Sequence, residues 1–137
     1  MPLTSKITKY NNRWPLEFEI EAKRLRPIFA SRLVSIQHVG STAVEGLAAK
    51  PEIDVLVIVT DSEPLEIWQD KLSYLDYRRG GDLVQGHHFF KRDVDGVRTH
   101  KLHVCIQGHP QVTRMLKIRD HLRSNAEDRA AYATLKL

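Results

Sequence analysis

Residues 38–59 read HVGSTAVEGLAAKPEIDVLVIV, and the order of residue types in this stretch decides the fold. From Glu52 to Thr60 the chain is almost continuously apolar and β-branched after its first residues. A run of this kind predicts a central strand covered on both faces, because a strand with one wet face would alternate. The segment before it, LVSIQHV over 33–39, does alternate and predicts a shorter strand. Between them, GSTAVEGLAAK predicts a turn and then a small helical piece, weakened by Gly46 and closed by Pro51. Two acids, Glu52 and Asp54, stand at the mouth of the buried run. Alternate strand residues share a face, so the two carboxylates project together, about 6–7 Å apart along the strand axis.

The flanking sequence supplies the layers. Residues 13–33 carry apolar positions at Trp14, Leu16, Phe18, Ile20, Leu25, Ile28, Phe29 and Leu33 with acids early and bases late, which predicts an amphipathic helix starting near Pro15, kinked or ended at Pro27 and followed by a second short turn. Residues 61–77 predict a second helix, capped by Asp61 or Ser62. RRGGDLVQG over 78–86 reads as a glycine-rich connection or a hairpin arm. HHFFKRD and DGVRTHKLHVCIQ read as two strands joined at Asp95-Gly96, a short-turn signal. From Pro110 the pattern turns helical, with a break at Ser124-Asn125. The order α-β-α-β-α-β-β-α-α predicts an α+β fold whose mixed sheet contains antiparallel pairs and is packed with helices.

A length of 137 residues predicts a single domain over 1–137 that buries roughly two-thirds of the surface of its unfolded chain. The longest apolar run, Val55–Val59, is far too short to cross a bilayer, and no apolar core follows the basic residues of the N-terminus, so a cytoplasmic protein with no membrane partner is expected. The single Cys105 excludes an internal disulfide and sits among alternating apolar residues, as a buried, inert thiol would. A net charge of +4 with scattered bases admits a phosphate-bearing partner. Nucleic acid is disfavoured, because no basic stripe is interleaved with aromatics.

Gly40-Ser41 ends the first strand, where a glycine lets backbone amides approach an anionic oxygen closely. Lys50 precedes a proline, is held away from helical geometry, and can direct its ammonium toward the same place. The candidate substrate-binding set is Gly40, Ser41, Thr42 and Lys50, joined by Arg119 and Arg123 from the C-terminal helices, whose guanidinium groups suit phosphate. Asp54 and Glu52 are the candidate catalytic acids, and together they could hold Mg²⁺ beside substrate phosphates. His100 and His103 fall on opposite faces of any regular strand, so at most one of them belongs to the site unless a bulge intervenes; His103 is the choice, because its neighbours Leu102 and Val104 read as core-facing. His38 is a possible companion or a satisfied strand histidine, and His87 and His88 are expected at the surface or a sheet edge.

Val39-Gly40-Ser41, followed by Glu52-Ile53-Asp54-Val55, resembles the signature of the polymerase-β-like nucleotidyltransferase superfamily. The longer segment HVGSTAVEGLAAKPEIDVLV closely resembles the defining segment of the GrpB family. Trp14-Pro15, Phe18, Leu75-Asp76-Tyr77, Phe89-Phe90-Lys91, His100-x-x-His103-Val104 and residues 118–136 agree with that family in order. The resemblance implies the nucleotidyltransferase-like fold, a nucleotide or other phosphate-bearing ligand and a divalent ion. It implies either metal-dependent nucleotidyl transfer to an unknown acceptor, or a catalytically silent nucleotide- or CoA-like-ligand-binding module serving a partner enzyme such as dephospho-CoA kinase, to which family members are sometimes fused. Two positions depart from the family: Glu45 where it has proline, and Glu52 where it has an apolar residue. The third acid expected in a later strand is replaced by Leu102-His103-Val104, with Asp93 or Asp95 as substitutes. A metal set of Asp54, Glu52 and His103 would suit Mn²⁺, or Zn²⁺ or Ni²⁺, better than Mg²⁺.

Overall fold

The apolar run forms the middle of a five-stranded sheet. The computed structural model describes residues 6–61, 65–84 and 86–136. In it, β1 (Leu33–Val39) pairs antiparallel with β2 (Ile53–Val59), in which every residue but Asp54 is buried. The other neighbour of β2 is β5 (Val97–Ile106), which runs parallel to it. Parallel neighbours require a long crossover. Here it consists of α2 (Leu65–Ser73) and two further strands, β3 (Tyr77–Val84) and β4 (His87–Val94), giving the order β1-β2-β5-β4-β3. β3 and β4, and β4 and β5, pair antiparallel. The fold is α+β with a mixed sheet, as the sequence predicts.

Strand parity sorts the two faces. Ile53, Val55, Val57 and Val59 face α1 (Trp14–Phe29) and α2, where they pack with Phe18, Leu25, Phe29, Trp68, Leu102 and Val104. Leu56 and Ile58, with Val39 and Cys105, face the opposite way and meet Val112, Met115 and Leu116 of α3 (Pro110–Ser124). α4 (Ala126–Lys136) follows α3. Asp54 has the parity of Leu56, so its carboxylate belongs to the α3 side of the sheet.

On the α1 side, the buried Glu21 receives Arg92 Nη1 at 3.0 Å on one carboxylate oxygen and faces Arg24 Nη1 at 3.2 Å on the other, with His100 Nε2 at 3.3 Å. Burial, with Arg92 and Arg24 close by, lowers the His100 pKa to about 4. His100 therefore stays neutral and helps fasten α1 to the sheet.

The structure fixes the extent of four elements. α1 runs through Pro27, in its last turn, to Phe29, and the expected short turn follows as a 3₁₀ turn (Ala30–Arg32); Leu16 and Ile20, counted among the apolar positions of that helix, are exposed. Of the two readings of the glycine-rich stretch, the hairpin arm holds: it is part of strand β3, where Gly80 leaves the space that the Phe89 ring fills across the strand pair and a Cβ would lie 2.5 Å from ring Cδ2. α2 is shorter than 61–77, since Asp76 at φ 67° reverses the chain into β3. Of its two candidate caps, Ser62 lies outside the described residues and Asp61 pairs with Arg32 at 2.6 Å. The small helical piece after Gly40 is only one 3₁₀ turn, Ser41–Ala43.

Candidate functional site

Gly40 leaves β1 with φ 75°, a conformation that L side chains resist. The β1–β2 register sets Val39 opposite Asp54, which brings the Asp54 carboxylate onto the next residue, Gly40. A Cβ built on Gly40 would lie 2.8 Å from Asp54 Cγ. Glycine is therefore required both for the turn and for the space. Thr42, fully buried, fastens the loop to the mouth of β2: its hydroxyl donates to the Glu52 carbonyl at 3.2 Å. That uses the only hydroxyl proton, so His38 Nε2 donates to Thr42 Oγ1 at 2.9 Å, which fixes the histidine tautomer.

His38 lies on the α1 face, stacked on Phe18 at 4.8 Å between ring centroids, and burial, reinforced by Arg123, lowers its pKa to about 4. It is a satisfied structural histidine. Thr42 is likewise an interior pin.

Arg119 and Arg123 act on the loop from outside. Arg119 Nη1 donates to Gln37 Oε1 at 2.9 Å and to the His38 carbonyl at 3.2 Å, while Arg123 Nε donates to the Ala43 carbonyl at 2.9 Å. Val44 and Leu47 are buried against Leu122 in the same place. Both guanidinium groups brace the 37–43 backbone, and neither lines the hollow described next.

Beside Gly40 opens a hollow of about 260 Å³ lined by Ile7, Ser41, Lys50, Glu52, Asp54 and Lys101. Sequence reasoning brought four of these together, and the fold adds Ile7 and Lys101. The parallel register of β2 and β5 places Lys101 opposite Asp54, with Nζ 3.5 Å from Asp54 Oδ1. His103 Nε2 approaches the same oxygen at 3.6 Å. Glu52, also buried, faces Arg98 Nε at 3.6 Å, and neither of those two facing atoms, Glu52 Oε1 and Arg98 Nε, has a hydrogen-bond partner. Asp93 is engaged with Arg78, and Asp95 sits in the β4–β5 turn at φ 53°, so neither supplies a third acid here.

Behind Asp54 stands a pair of histidines. His103 Nδ1 lies 2.9 Å from His87 Nε2. A proton on His103 Nε2 faces the Asp54 carboxylate and leaves Nδ1 to accept from His87 Nε2. His87 and His88 are both buried, contrary to the expectation of an edge, because β3 pairs outside β4 and makes β4 an interior strand.

The residues present fit a divalent ion poorly. Among the described residues no three His, Cys, Asp or Glu side chains converge as a metal cluster would require. Asp54 already faces an ammonium and an imidazole, and Glu52 a guanidinium.

The comparisons with known proteins agree with this architecture. The family model described as GrpB protein matches residues 4–137. The chain belongs to the GrpB family. Among curated GrpB-type relatives, UPF0157 protein BH1888 of Halalkalibacterium halodurans is 39% identical over 133 residues, covering 95% of this chain and 66% of the relative. UPF0157 protein YqkA of Bacillus subtilis is 34% identical over 131 residues, again 95% of this chain but 38% of the relative. The chain thus spans only part of these relatives. The crystal structure of the conserved protein GrpB from Enterococcus faecalis superposes with a TM-score of 0.89 at 33% identity, covering 95% of this chain and 79% of that one. The Cid1 poly(U) polymerase bound to MgATP superposes with a TM-score of 0.65 at 11% identity, over 95% of this chain and 43% of that one. At that identity the likeness shows the nucleotidyltransferase-like fold alone. Among the described residues no helix is long and apolar enough to cross a membrane.

Proposed function

We propose that this GrpB-family chain binds the phosphate-bearing end of a nucleotide, or of a CoA-like small molecule, in the hollow beside Gly40. The observation that carries the reading is the meeting of Lys50, Lys101 and Ser41 in one hollow at a glycine turn. Lys50 is exposed, whereas Glu52 is buried and faces Arg98, so the ammonium groups are the charges that an entering ligand meets first. An ammonium is a strong donor to phosphate oxygens, and Gly40 lets the backbone approach closely. The braced loop keeps this surface preformed. The ligand-binding module serving a partner enzyme is the form of the proposal that the paired acids support.

Thermal shift tests it: ATP, coenzyme A and inorganic triphosphate are each added to the wild type and to Lys50→Ala. A rise in melting temperature with at least one of them, reduced in the variant, is expected. No response to any of the three would remove the proposal.

A second reading, nucleotidyl transfer to an unknown acceptor, is favoured by one observation. Asp54 and Glu52 open into the same hollow, within a fold shared with the Cid1 poly(U) polymerase. Asp54 would then have to be released from Lys101 before acting. Pyrophosphate release from any of the four nucleoside triphosphates, assayed with Mg²⁺, Mn²⁺, Zn²⁺ and Ni²⁺, would establish transfer over binding alone.

A further inference from the structure

We infer that Lys101 supplies in this hollow the positive charge that a divalent ion would otherwise supply, so that the site takes a phosphate-bearing ligand as a free anion with no metal required. The inference rests on the phosphate-binding reading above and goes further, naming the charge state of the ligand and the residue that selects it.

The register of two strands carries the argument. β2 and β5 run parallel with Asp54 opposite Lys101, so the two side chains leave the sheet on the same face. Lys101 Nζ sits 3.5 Å from Asp54 Oδ1, beyond an ordinary hydrogen bond but within ion-pair reach, and its side chain is 30% exposed toward the hollow. The ammonium thus has the Asp54 carboxylate on one side and space on the other. It carries three donors, and one carboxylate leaves others for a ligand. Lys50 places a second ammonium on the same hollow.

The acids complete the arrangement. Asp54 Oδ1 is shared by Lys101 and His103, two residues apart on one strand, and Glu52 is held by Arg98 from the start of that same strand. β5 therefore answers each acid at the mouth of β2 with a nitrogen group. A hard cation needs oxygen ligands free to close on it. Here one oxygen of each acid, Asp54 Oδ1 and Glu52 Oε1, is opposed by nitrogens, Asp54 Oδ2 lies against Gly40, and the exposed pole of the hollow is cationic. A polyphosphate chelated by Mg²⁺ has lost part of the charge that such a pole selects, so Mg²⁺ should weaken binding.

Isothermal titration with inorganic triphosphate and with ATP, each in EDTA and in excess Mg²⁺, decides the matter. The expected result is binding in EDTA at least as tight as in Mg²⁺, with Lys101→Met weakening the EDTA affinity about tenfold while circular dichroism shows the fold intact. Lys101→Asp should reverse the preference and make binding depend on Mg²⁺. Wild-type binding that requires Mg²⁺ would overturn this inference while leaving the phosphate-binding proposal standing. Equal affinity of folded Lys101→Met and wild type in EDTA would do the same. Absence of binding in both buffers would overturn both. The buffer comparison uses the wild type alone, so it holds even if a variant fails to fold.

Discussion

The Asp54 carboxylate lies against the Cα of Gly40, with no room between them for a side chain. Gly40→Ala is expected to destabilise the protein by about 1–3 kcal/mol, from the positive φ and the collision together. Shortening the colliding residue should recover part of that loss. In urea denaturation the double variant Gly40→Ala/Asp54→Gly is therefore expected to lose less than the sum of the two single variants. Strict additivity would show that the two residues are not packed as described.

Thr42 joins the glycine loop to β2 through one hydroxyl. Thr42→Val keeps the shape, removes the donor to Glu52 and strands the His38 N–H in the interior, at a cost of about 1–3 kcal/mol. Because the loop carries Ser41 toward the hollow, ligand affinity should fall with stability. A variant as stable as the wild type in chemical denaturation would contradict the role given to this hydroxyl.

Glu21 is the hub of the buried ionic cluster on the α1 face. Glu21→Ala removes the carboxylate and leaves Arg92 uncompensated, so a loss of about 3–5 kcal/mol is expected. Glu21→Leu/Arg92→Met, which removes both partners of the pair at 3.0 Å, should lose distinctly less. Melting temperatures of the two variants provide the check.

Acid should loosen the fold through His38 and His100. Both have folded-state pKa values lowered to about 4, from an ordinary value of 6.5. Between those values the unfolded chain binds more protons than the folded one, so stability is at its full value above pH 6.5 and is lost as pH falls toward 4. Each histidine contributes on the order of 2–3 kcal/mol to that loss. Replacing His38 with Gln should flatten the pH dependence of the melting temperature over this window, and an unchanged slope would argue against its neutral burial.

Cys105 is fully buried, and burial pushes its thiol up to about 12. A thiol in that setting lacks the thiolate that reacts. Labelling by a disulfide reagent near neutral pH is expected only as fast as the protein opens, and it should accelerate sharply in denaturant. Immediate labelling of the native protein would show that β5 is exposed on its α3 side.

Local pattern determined much of this molecule. The β-branched run at 53–59, the alternation at 33–39 and Asp95-Gly96 each state a backbone preference carried by neighbouring residues, and β2, β1 and the β4–β5 turn follow them. The parity of Glu52 and Asp54, and the glycine at 40, placed the acids and the turn at one mouth for the same reason. Tertiary pairing decided the rest. That β3 is a strand depends on Phe89 filling the gap at Gly80, and the burial of His87 and His88 depends on β3 lying outside β4. Lys101 shares its parity with His103, which the sequence does show. Its place opposite Asp54, however, is fixed by a parallel register whose paired residues lie 47 positions apart in the chain, and a sequence read locally carries no term for that pairing.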